Sequence, residues 1–150
     1  RLAILGEHFS RIPSVFREAR KQLAGRIMHC GYIDSREEYL GMLSSADIVI
    51  STARQENFGI SVVEAIRAGC RPLLPKRLSY PELIPSDFHG DVLYRDAGEL
   101  EEKLRQLLEA PHRIPLPRLS ESMARFDWPH RVSAFDRLIE EMVLCYGGVV

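Results

Sequence analysis

The chain has 150 residues, the size of a single globular domain. Its content of 45% hydrophobic and 27% charged residues is typical of a folded, water-soluble protein. A formal net charge of −1 argues against a general attraction to nucleic acid or to an anionic membrane, and no apolar run approaches the roughly 20 residues of a membrane-spanning helix. The basic residues are scattered, apart from a modest cluster at Arg67, Arg71, Lys76 and Arg77.

The cysteines and histidines do not indicate a disulfide framework or a metal site. Cys30, Cys70 and Cys145 are odd in number and form no CxxC pair, and the five histidines show no HxxxH or HExxH spacing. We therefore expect reduced, buried thiols, a cytoplasmic location and no metal site.

In the first third of the chain, short apolar runs alternate with helical patterns, as in parallel βαβ units. Residues 2–6 predict a buried strand, and residues 12–25 predict an amphipathic helix that stops at Gly25. Residues 26–33 predict a second strand. Ser35 and Glu38 have the spacing of a capping box and mark the start of the next helix.

The same alternation continues to the end of the chain. The further predicted strands cover residues 46–52, 71–75 and 90–94, and the further predicted helices cover residues 59–68, 97–110, 116–126 and 128–146. Asp96 is the expected N-terminal cap of the helix over residues 97–110. Pro129 lies in the first turn of the last helix. The pattern predicts one α/β domain, with an open, mostly parallel, Rossmann-like sheet and helices on both faces.

The loop from Thr52 to Phe58 is the expected ligand site, because open α/β sheets bind ligands beyond the carboxyl ends of their strands. The helix that follows begins at Gly59, and a helix N-terminus favours a phosphate. Gly59 lacks a Cβ, so either a phosphate approaches its backbone closely or the residue serves only a tight turn.

Two glutamates flank this helix start, and each has two interpretations. Glu56 is placed either to accept hydrogen bonds from sugar hydroxyls or to cap the free N–H groups of the helix. On a helical wheel Glu64 falls away from the apolar face formed by Val62, Ala65 and Ile66. It is therefore either a solvated residue, paired with Arg67 or Arg71, or a residue that lines a cleft and reaches the ribose of a nucleotide-sugar.

The span from Glu56 to Glu64 reads ENFGISVVE and is followed by AIRAGCRPLLP. It resembles the E-x7-E signature of the retaining GT-B glycosyltransferases of family 4, in which Phe-Gly and Glu-Ala precede a small residue with Gly and a strand that contains Pro. The segments GYI, SSADIVISTA, SYPELI and RFDWPHRVSAFDRLIEEM continue the match in register, so that the resemblance covers essentially the whole chain.

The resemblance implies a role for each matching residue. It assigns Glu56 to hydroxyls of the donor sugar, and it makes Glu56 the candidate catalytic residue without making it a nucleophile. It assigns Glu64 to the ribose hydroxyls. The candidate donor-binding residues are Asn57, Phe58, Gly59 and Ile60 at the sugar and diphosphate, Gly31, Tyr32 and Ile33 near the nucleobase, and Gly6 near the cleft floor.

Within that family, the sequence from His29 to Pro85 and the closing Phe126-Asp127-Trp128 most resemble a group of tRNA-modifying mannosyltransferases. That similarity implies a GDP-mannose donor and a queuosine-modified tRNA as acceptor. No DxD motif is visible, so we expect no metal at the leaving group. Positioned N–H groups at the helix start would stabilise the departing diphosphate instead.

The chain departs from the family pattern in one respect. Family members carry an Arg and Lys pair, on the first strand and helix of this domain, that clamps the diphosphate. Here the sequence begins at the family's second strand. Arg54 or Lys76 would then either substitute for the pair or be solvated surface residues. We expect a donor-binding domain, residues 1–150, from a larger enzyme whose first strand-helix unit and N-terminal acceptor domain lie outside this sequence.

Two other function classes are compatible with the residues alone. One is a non-catalytic module that binds nucleotide-sugars. The isolated chain itself is expected to be inactive in transfer, because half of the cleft lies elsewhere. The other is a protein-interaction domain in which both glutamates are surface residues. Binding of nucleotides distinguishes these classes.

Overall fold

The computed structural model of the chain describes residues 1–6 and 14–146. The strands in these residues are β1 (Leu2–Leu5), β2 (Ile27–Gly31), β3 (Ile48–Ile50), β4 (Arg71–Pro75) and β5 (Leu93–Tyr94). The α-helices are α1 (Ser14–Gln22), α2 (Arg36–Ser44), α3 (Ile60–Arg67), α4 (Tyr80–Leu83), α5 (His89–Val92), α6 (Ala97–Glu109), α7 (Pro117–Ser122) and α8 (Trp128–Tyr146). Three short 3-10 helices cover Ser86–Phe88, Pro111–Arg113 and Met123–Phe126.

All strand pairs are parallel, and the predicted α/β class is confirmed. The strands form two open sheets instead of the single sheet expected, with the orders β1-β2 and β3-β4-β5. The chain correspondingly divides into two compact units, Arg1–Met42 and Leu43–Val150. In the second unit, α3 connects β3 to β4, and α4 and α5 lie between β4 and β5.

The helix boundaries follow the capping signals of the sequence. The Ser35 hydroxyl accepts a hydrogen bond from the Glu38 amide at 3.2 Å, as the capping box predicts. The Asp96 carboxylate caps α6 by accepting from the Glu99 amide at 2.9 Å. The predicted first helix ends at Gln22, three residues before Gly25, and its expected first two residues, 12 and 13, lie outside the described residues.

Two sequence predictions were wrong in part. The expected strand over residues 90–94 is extended only at Leu93–Tyr94, and the residues before it form α5. Gly90 and Asp91 have low strand propensity, which disfavours a strand at these two positions. The expected helix over residues 116–126 divides into α7 and a tighter 3-10 turn at Met123–Phe126.

An apolar cluster holds the second unit together. It is formed by side chains from α3 and β4 and from the later elements α4, α5, β5, α7 and the 3-10 turn at Met123–Phe126. Its most deeply buried side chains are Ile66, Leu74, Tyr80, Ile84, Val92, Leu119 and Met123. Val62, Ala65 and Ile66 are all buried, so the predicted apolar face of α3 is confirmed. This packing fixes α3, and with it the start of the helix, against β4.

The three cysteines are all free, but they are not all buried. Cys70 is buried, Cys30 is half-buried and Cys145 is exposed on α8. The prediction of buried thiols is therefore correct only for Cys70. Its Sγ lies 3.3 Å from the carbonyl oxygens of Leu43 and Ala46.

Candidate functional site

The candidate site lies where the strands of the second sheet end. β3 ends at Ile50, and the loop from residue 51 to Gly59 leads directly into α3. β4 and β5 run parallel to β3, so the segments that follow Pro75 and Tyr94 emerge at the same edge. The structure thus places the E-x7-E segment at the carboxyl edge of a parallel sheet, the position at which open α/β folds bind ligands.

Glu56 folds back onto the backbone of its own loop. Its Oε1 accepts hydrogen bonds from the Gly59 amide at 3.0 Å and from the Phe58 amide at 3.4 Å. These two amides precede α3, which has no side-chain cap at its N-terminus, so Glu56 orients the turn before the helix and does not cap the free N–H groups of the helix itself. A carboxylate accepts about four hydrogen bonds over two oxygens, so the contacts of Oε1 leave acceptor capacity on Oε2.

Gly59 precedes α3 in a left-handed conformation, with φ 90° and ψ 40°. A Cβ at this position would lie 3.2 Å from Cε1 of Tyr80 and 3.5 Å from Cδ2 of Leu83. The tight-turn alternative therefore explains why the residue is glycine. Close approach of a phosphate to its backbone stays a prediction.

The residues around Gly59 differ in their packing. Phe58 is partly exposed and packs edge-on against Phe126, with ring centroids 5.3 Å apart, and its carbonyl accepts a hydrogen bond from the Ser79 hydroxyl at 3.3 Å. Asn57 and Ile60 are exposed. The Gly59 carbonyl accepts from the amides of Val62 and Val63, the first intrahelical bonds of α3. The amides of Ile60 and Ser61, the first two residues of α3, have no partner within the helix and point out of its N-terminal end, as in any α-helix.

Glu64 lies one turn into α3 and is half-buried, so it is not simply a solvated surface residue. The two arginines proposed as its partners bind elsewhere as well. Arg67 makes a bidentate ion pair with Asp127, at 2.7 and 3.2 Å. Arg71 faces Asp91.

A group of hydroxyls, which the sequence analysis missed, connects Ser51 at the start of the loop to two buried tyrosines. The hydroxyls of Ser51 and Tyr80 lie 2.8 Å apart, and the Tyr94 hydroxyl donates to the Ser51 carbonyl at 2.6 Å. Burial raises the pKa of Tyr80, with a smaller contribution from the negative charge of Glu56. Burial also raises the pKa of Tyr94, against the opposing effect of the positive charge of Arg77. These partners are 29 and 43 residues apart in sequence, so no local pattern reveals them.

Arg77 is a basic residue of this site, which the sequence placed in a basic cluster without indicating a role for it. Its guanidinium donates to the Ala53 carbonyl at 3.0 Å and so joins the segment after β4 to the loop after β3. The next residue, Leu78, has φ 60°, which is uncommon for a residue other than glycine. Arg54 and Lys76, the cations singled out from the sequence, are both exposed.

The remaining predicted residues lie in the first unit. The Gly6 amide donates to the Gly31 carbonyl at 3.1 Å, so the structure brings together the carboxyl ends of β1 and β2. Gly31 is buried, Ile33 is half-buried and Tyr32 is exposed. Their roles near the nucleobase and the cleft floor stay predictions.

Comparison with protein families identifies the chain. Residues 2–125 match the model of the family described as "Glycosyl transferases group 1". The chain belongs to this family. The match includes the loop after β3, the whole of α3 and the hydroxyl-bearing residues Ser51, Tyr80 and Tyr94.

Three mannosyltransferases illustrate the similarity of this group 1 glycosyltransferase domain to characterised proteins. The tRNA-queuosine alpha-mannosyltransferase of Drosophila melanogaster is 37% identical over 111 residues, which are 74% of this chain and 28% of that protein. The GDP-mannose-dependent alpha-(1-6)-phosphatidylinositol dimannoside mannosyltransferase of Mycobacterium tuberculosis is 30% identical over 87 residues, 58% of this chain and 22% of that protein. The GDP-mannose:cellobiosyl-diphosphopolyprenol alpha-mannosyltransferase of Xanthomonas oryzae is 28% identical over 142 residues, 90% of this chain and 37% of that protein.

The glycosyltransferase domain therefore spans well under half of the length of these relatives. In the part of the chain that the structure describes, no helix combines the length and the apolar character needed to cross a membrane.

Proposed function

We propose that the chain is the donor-binding domain of a retaining glycosyltransferase of the GT-B type, family 4, that transfers mannose from GDP-mannose. One observation carries the proposal: α3 begins at the carboxyl edge of a parallel sheet, directly after the loop that holds Glu56. This arrangement presents a helix N-terminus, a carboxylate and a neighbouring arginine to the same loop. The rest of the cleft and the acceptor site belong to the larger protein in this proposal.

The N-terminus of α3 is the proposed site of the diphosphate. Its first amides and the positive end of the helix dipole favour a dianionic group. In a transfer reaction the same groups stabilise the negative charge that develops on the departing nucleoside diphosphate. The backbone of Asn57, Phe58, Gly59 and Ile60 would bind the diphosphate and the first atoms of the sugar.

The two glutamates are proposed to bind the two ends of the donor. Glu56, whose Oε1 already orients the loop, would accept hydrogen bonds from sugar hydroxyls through Oε2 and so fix the sugar over the diphosphate. Glu64, half-buried one turn further along α3, would accept hydrogen bonds from the ribose hydroxyls. Neither residue acts as a nucleophile in this proposal.

Arg77 is proposed to supply positive charge beside the diphosphate. It is exposed, as are Arg54 and Lys76, the cations expected from sequence, but its guanidinium is anchored to the Ala53 carbonyl within the loop. An arginine held on a carbonyl retains further N–H donors for a phosphate oxygen, because the guanidinium carries five.

The identity of donor and acceptor rests on the relatives. The names of two of the three mannosyltransferases specify GDP-mannose, which supports GDP-mannose as the donor. The Drosophila relative is named for queuosine in tRNA, and it supports queuosine-modified tRNA as the acceptor and a cytoplasmic location.

Calorimetric titration of the chain with GDP, GDP-mannose and UDP-glucose tests this function. We expect the two guanine ligands to bind with dissociation constants of about 1 mM or below. Glu64→Ala should weaken both by about tenfold or more, because it removes hydrogen bonds to a charged acceptor. Glu109→Ala, which removes an exposed carboxylate of α6, is the matched control and should have no effect. Arg77→Gln should weaken GDP but leave guanosine, which has no phosphate, unchanged.

Three results would count against the proposal. If none of the nucleotides binds at millimolar concentration, the donor-binding function is wrong. If UDP-glucose binds and the guanine nucleotides do not, the GDP-mannose assignment fails while donor binding stands. If Glu109→Ala weakens binding as much as Glu64→Ala, the ribose contact is not at Glu64.

A further inference from the structure

A second polar cleft lies at the amino edge of the second sheet, at the other end of β4 from Arg77. Its volume is about 110 Å³. Arg71, the first residue of β4, lies at this edge, together with the residues that immediately precede β5. The cleft is lined by Arg71, Gly90, Asp91, Lys103, Gln106, Leu107 and Arg113. This volume holds several water molecules or one tetrahedral oxyanion.

Positive charge dominates the lining. Arg71, Lys103 and Arg113 are cationic, and Asp91 is the carboxylate among the lining residues. The Asp91 side chain is 55% exposed, and its Oδ1 lies 3.5 Å from Arg71, which is long for a charge-assisted hydrogen bond. Lys103 donates to the Gly90 carbonyl at 2.5 Å and lies 3.7 Å from Glu99.

Arg71 is the most unusual of these residues, because its side chain is only 7% exposed. One terminal nitrogen donates to the Arg113 carbonyl at 2.6 Å, and the other faces Asp91. Its Nε is buried, and no hydrogen-bond acceptor lies near it among residues 1–6 and 14–146. The contacts of the two terminal nitrogens explain how Arg71 ties β4 to Pro111–Arg113, but they leave one buried donor unused.

A nearly buried cation is costly unless negative charge compensates it. Burial lowers the pKa of Arg71, and the positive charge of Arg113 lowers it further, against the opposing effect of Asp91. Asp91, the carboxylate that faces the guanidinium, is itself more than half exposed, so water screens its charge. An oxyanion between Arg71, Lys103 and Arg113 would offset both the burial and the repulsion between the cations.

We propose that this cleft binds one phosphate-sized oxyanion, either inorganic phosphate or the phosphate group of a small monoester. Arg71 supplies a nearly buried cation, and Lys103 and Arg113 supply charge from α6 and from the following 3-10 turn. The bound anion would join these elements to the amino end of β4. The proposal is independent of donor binding, because its residues lie at the opposite edge of the sheet from Glu56.

The test is a nitrogen–proton NMR titration of the chain at constant ionic strength, with chloride replaced by inorganic phosphate in one series and by glycerol phosphate in another. We expect saturable shifts at the amides of Gly90, Asp91 and Gln106, with a dissociation constant of a few mM. Saturation by both anions indicates a site for phosphate groups in general. Saturation by inorganic phosphate alone indicates a site for the free ion.

Charge variants establish which residues bind the anion. Lys103→Gln should raise the dissociation constant about tenfold, because one of three cations is lost. Arg113→Gln is a second variant with the same expected effect, should Lys103→Gln disturb α6. Arg105→Gln is the matched control: it removes the same charge from α6, where Arg105 pairs with Glu101 and Glu102, and it should change the constant less than twofold.

The proposal is overturned if neither anion produces saturable shifts up to about 20 mM, a range that covers weak specific binding. It is also overturned if Arg105→Gln weakens binding as much as Lys103→Gln and Arg113→Gln, since that would show a general charge effect. Shifts confined to residues at the start of α3 would overturn it and point to the donor site instead.

Discussion

The conformation and packing of Gly59 predict a large loss of stability for Gly59→Ala. A φ of 90° costs a residue with a side chain about 1–2 kcal/mol. The new Cβ would lie 3.2 Å from Cε1 of Tyr80, which is fully buried and held by its hydrogen bond to Ser51, so the ring has little freedom to move. Such overpacking typically costs about 1–3 kcal/mol. The lower entropy of the unfolded chain offsets about 0.4–1 kcal/mol, so that we expect a net loss of about 3 kcal/mol.

Gly69→Ala is the matched control, because it separates backbone strain from overpacking. Gly69 has φ 104°, but a Cβ there meets nothing within 4 Å. Its substitution should therefore cost only about 1 kcal/mol, the strain less the entropy effect. Urea unfolding followed by far-ultraviolet circular dichroism measures both variants. The reasoning is refuted if the two variants lose the same free energy of unfolding within about 0.5 kcal/mol, the range of a substitution without a specific structural effect.

Three further predictions concern hydroxyl and thiol groups of the second unit. Ser51→Ala leaves the hydroxyl of Tyr80 without its partner and should lower the free energy of unfolding in urea by about 1–3 kcal/mol. The double variant with Tyr80→Phe should recover part of this loss, because it removes the unpaired hydroxyl. A double variant that is less stable than Ser51→Ala would contradict this reasoning. Thiol labelling read by peptide mass spectrometry should modify exposed Cys145 well before Cys70, whose pKa burial raises, and the reverse order would refute the assignment. Because that pKa is raised in the folded state, the contribution of Cys70 to stability is complete below its ordinary value of 9.0 and is lost as the pH rises further, a decline that Cys70→Ala should remove.

Local pattern was sufficient for most of the secondary structure. β4 and α8 lie where the sequence predicts them, and the caps at Ser35 and Asp96 form as expected. These features depend on residues within one or two turns of each other, so the sequence contains the necessary information. The pattern failed at residues 90–94, where the apolar run was too short to show that a helical turn, α5, comes before the strand β5.

The candidate site was predictable in its position but not in its construction. The order of elements indicates that the loop after β3 lies at the carboxyl edge of the sheet, because parallel strands all end on the same side. Two alternatives were left open for each of Glu56 and Gly59, and only the contacts in the folded chain bear on them. The fold brings Tyr80 against Gly59 and turns Oε1 of Glu56 onto the Gly59 amide.

The sequence alone determined the α/β class and the edge of the sheet at which a ligand would bind, because these follow from local periodicity and the order of the elements, and the segment from Glu56 to Glu64 resembles the family signature. The tertiary structure decided how distant residues meet. It separates Arg71 from Arg77, neighbours in a basic cluster of the sequence, to opposite ends of β4. The physical reason is the strand itself: an extended chain of five residues spans about 16 Å, so two nearby cations serve two different edges of one sheet.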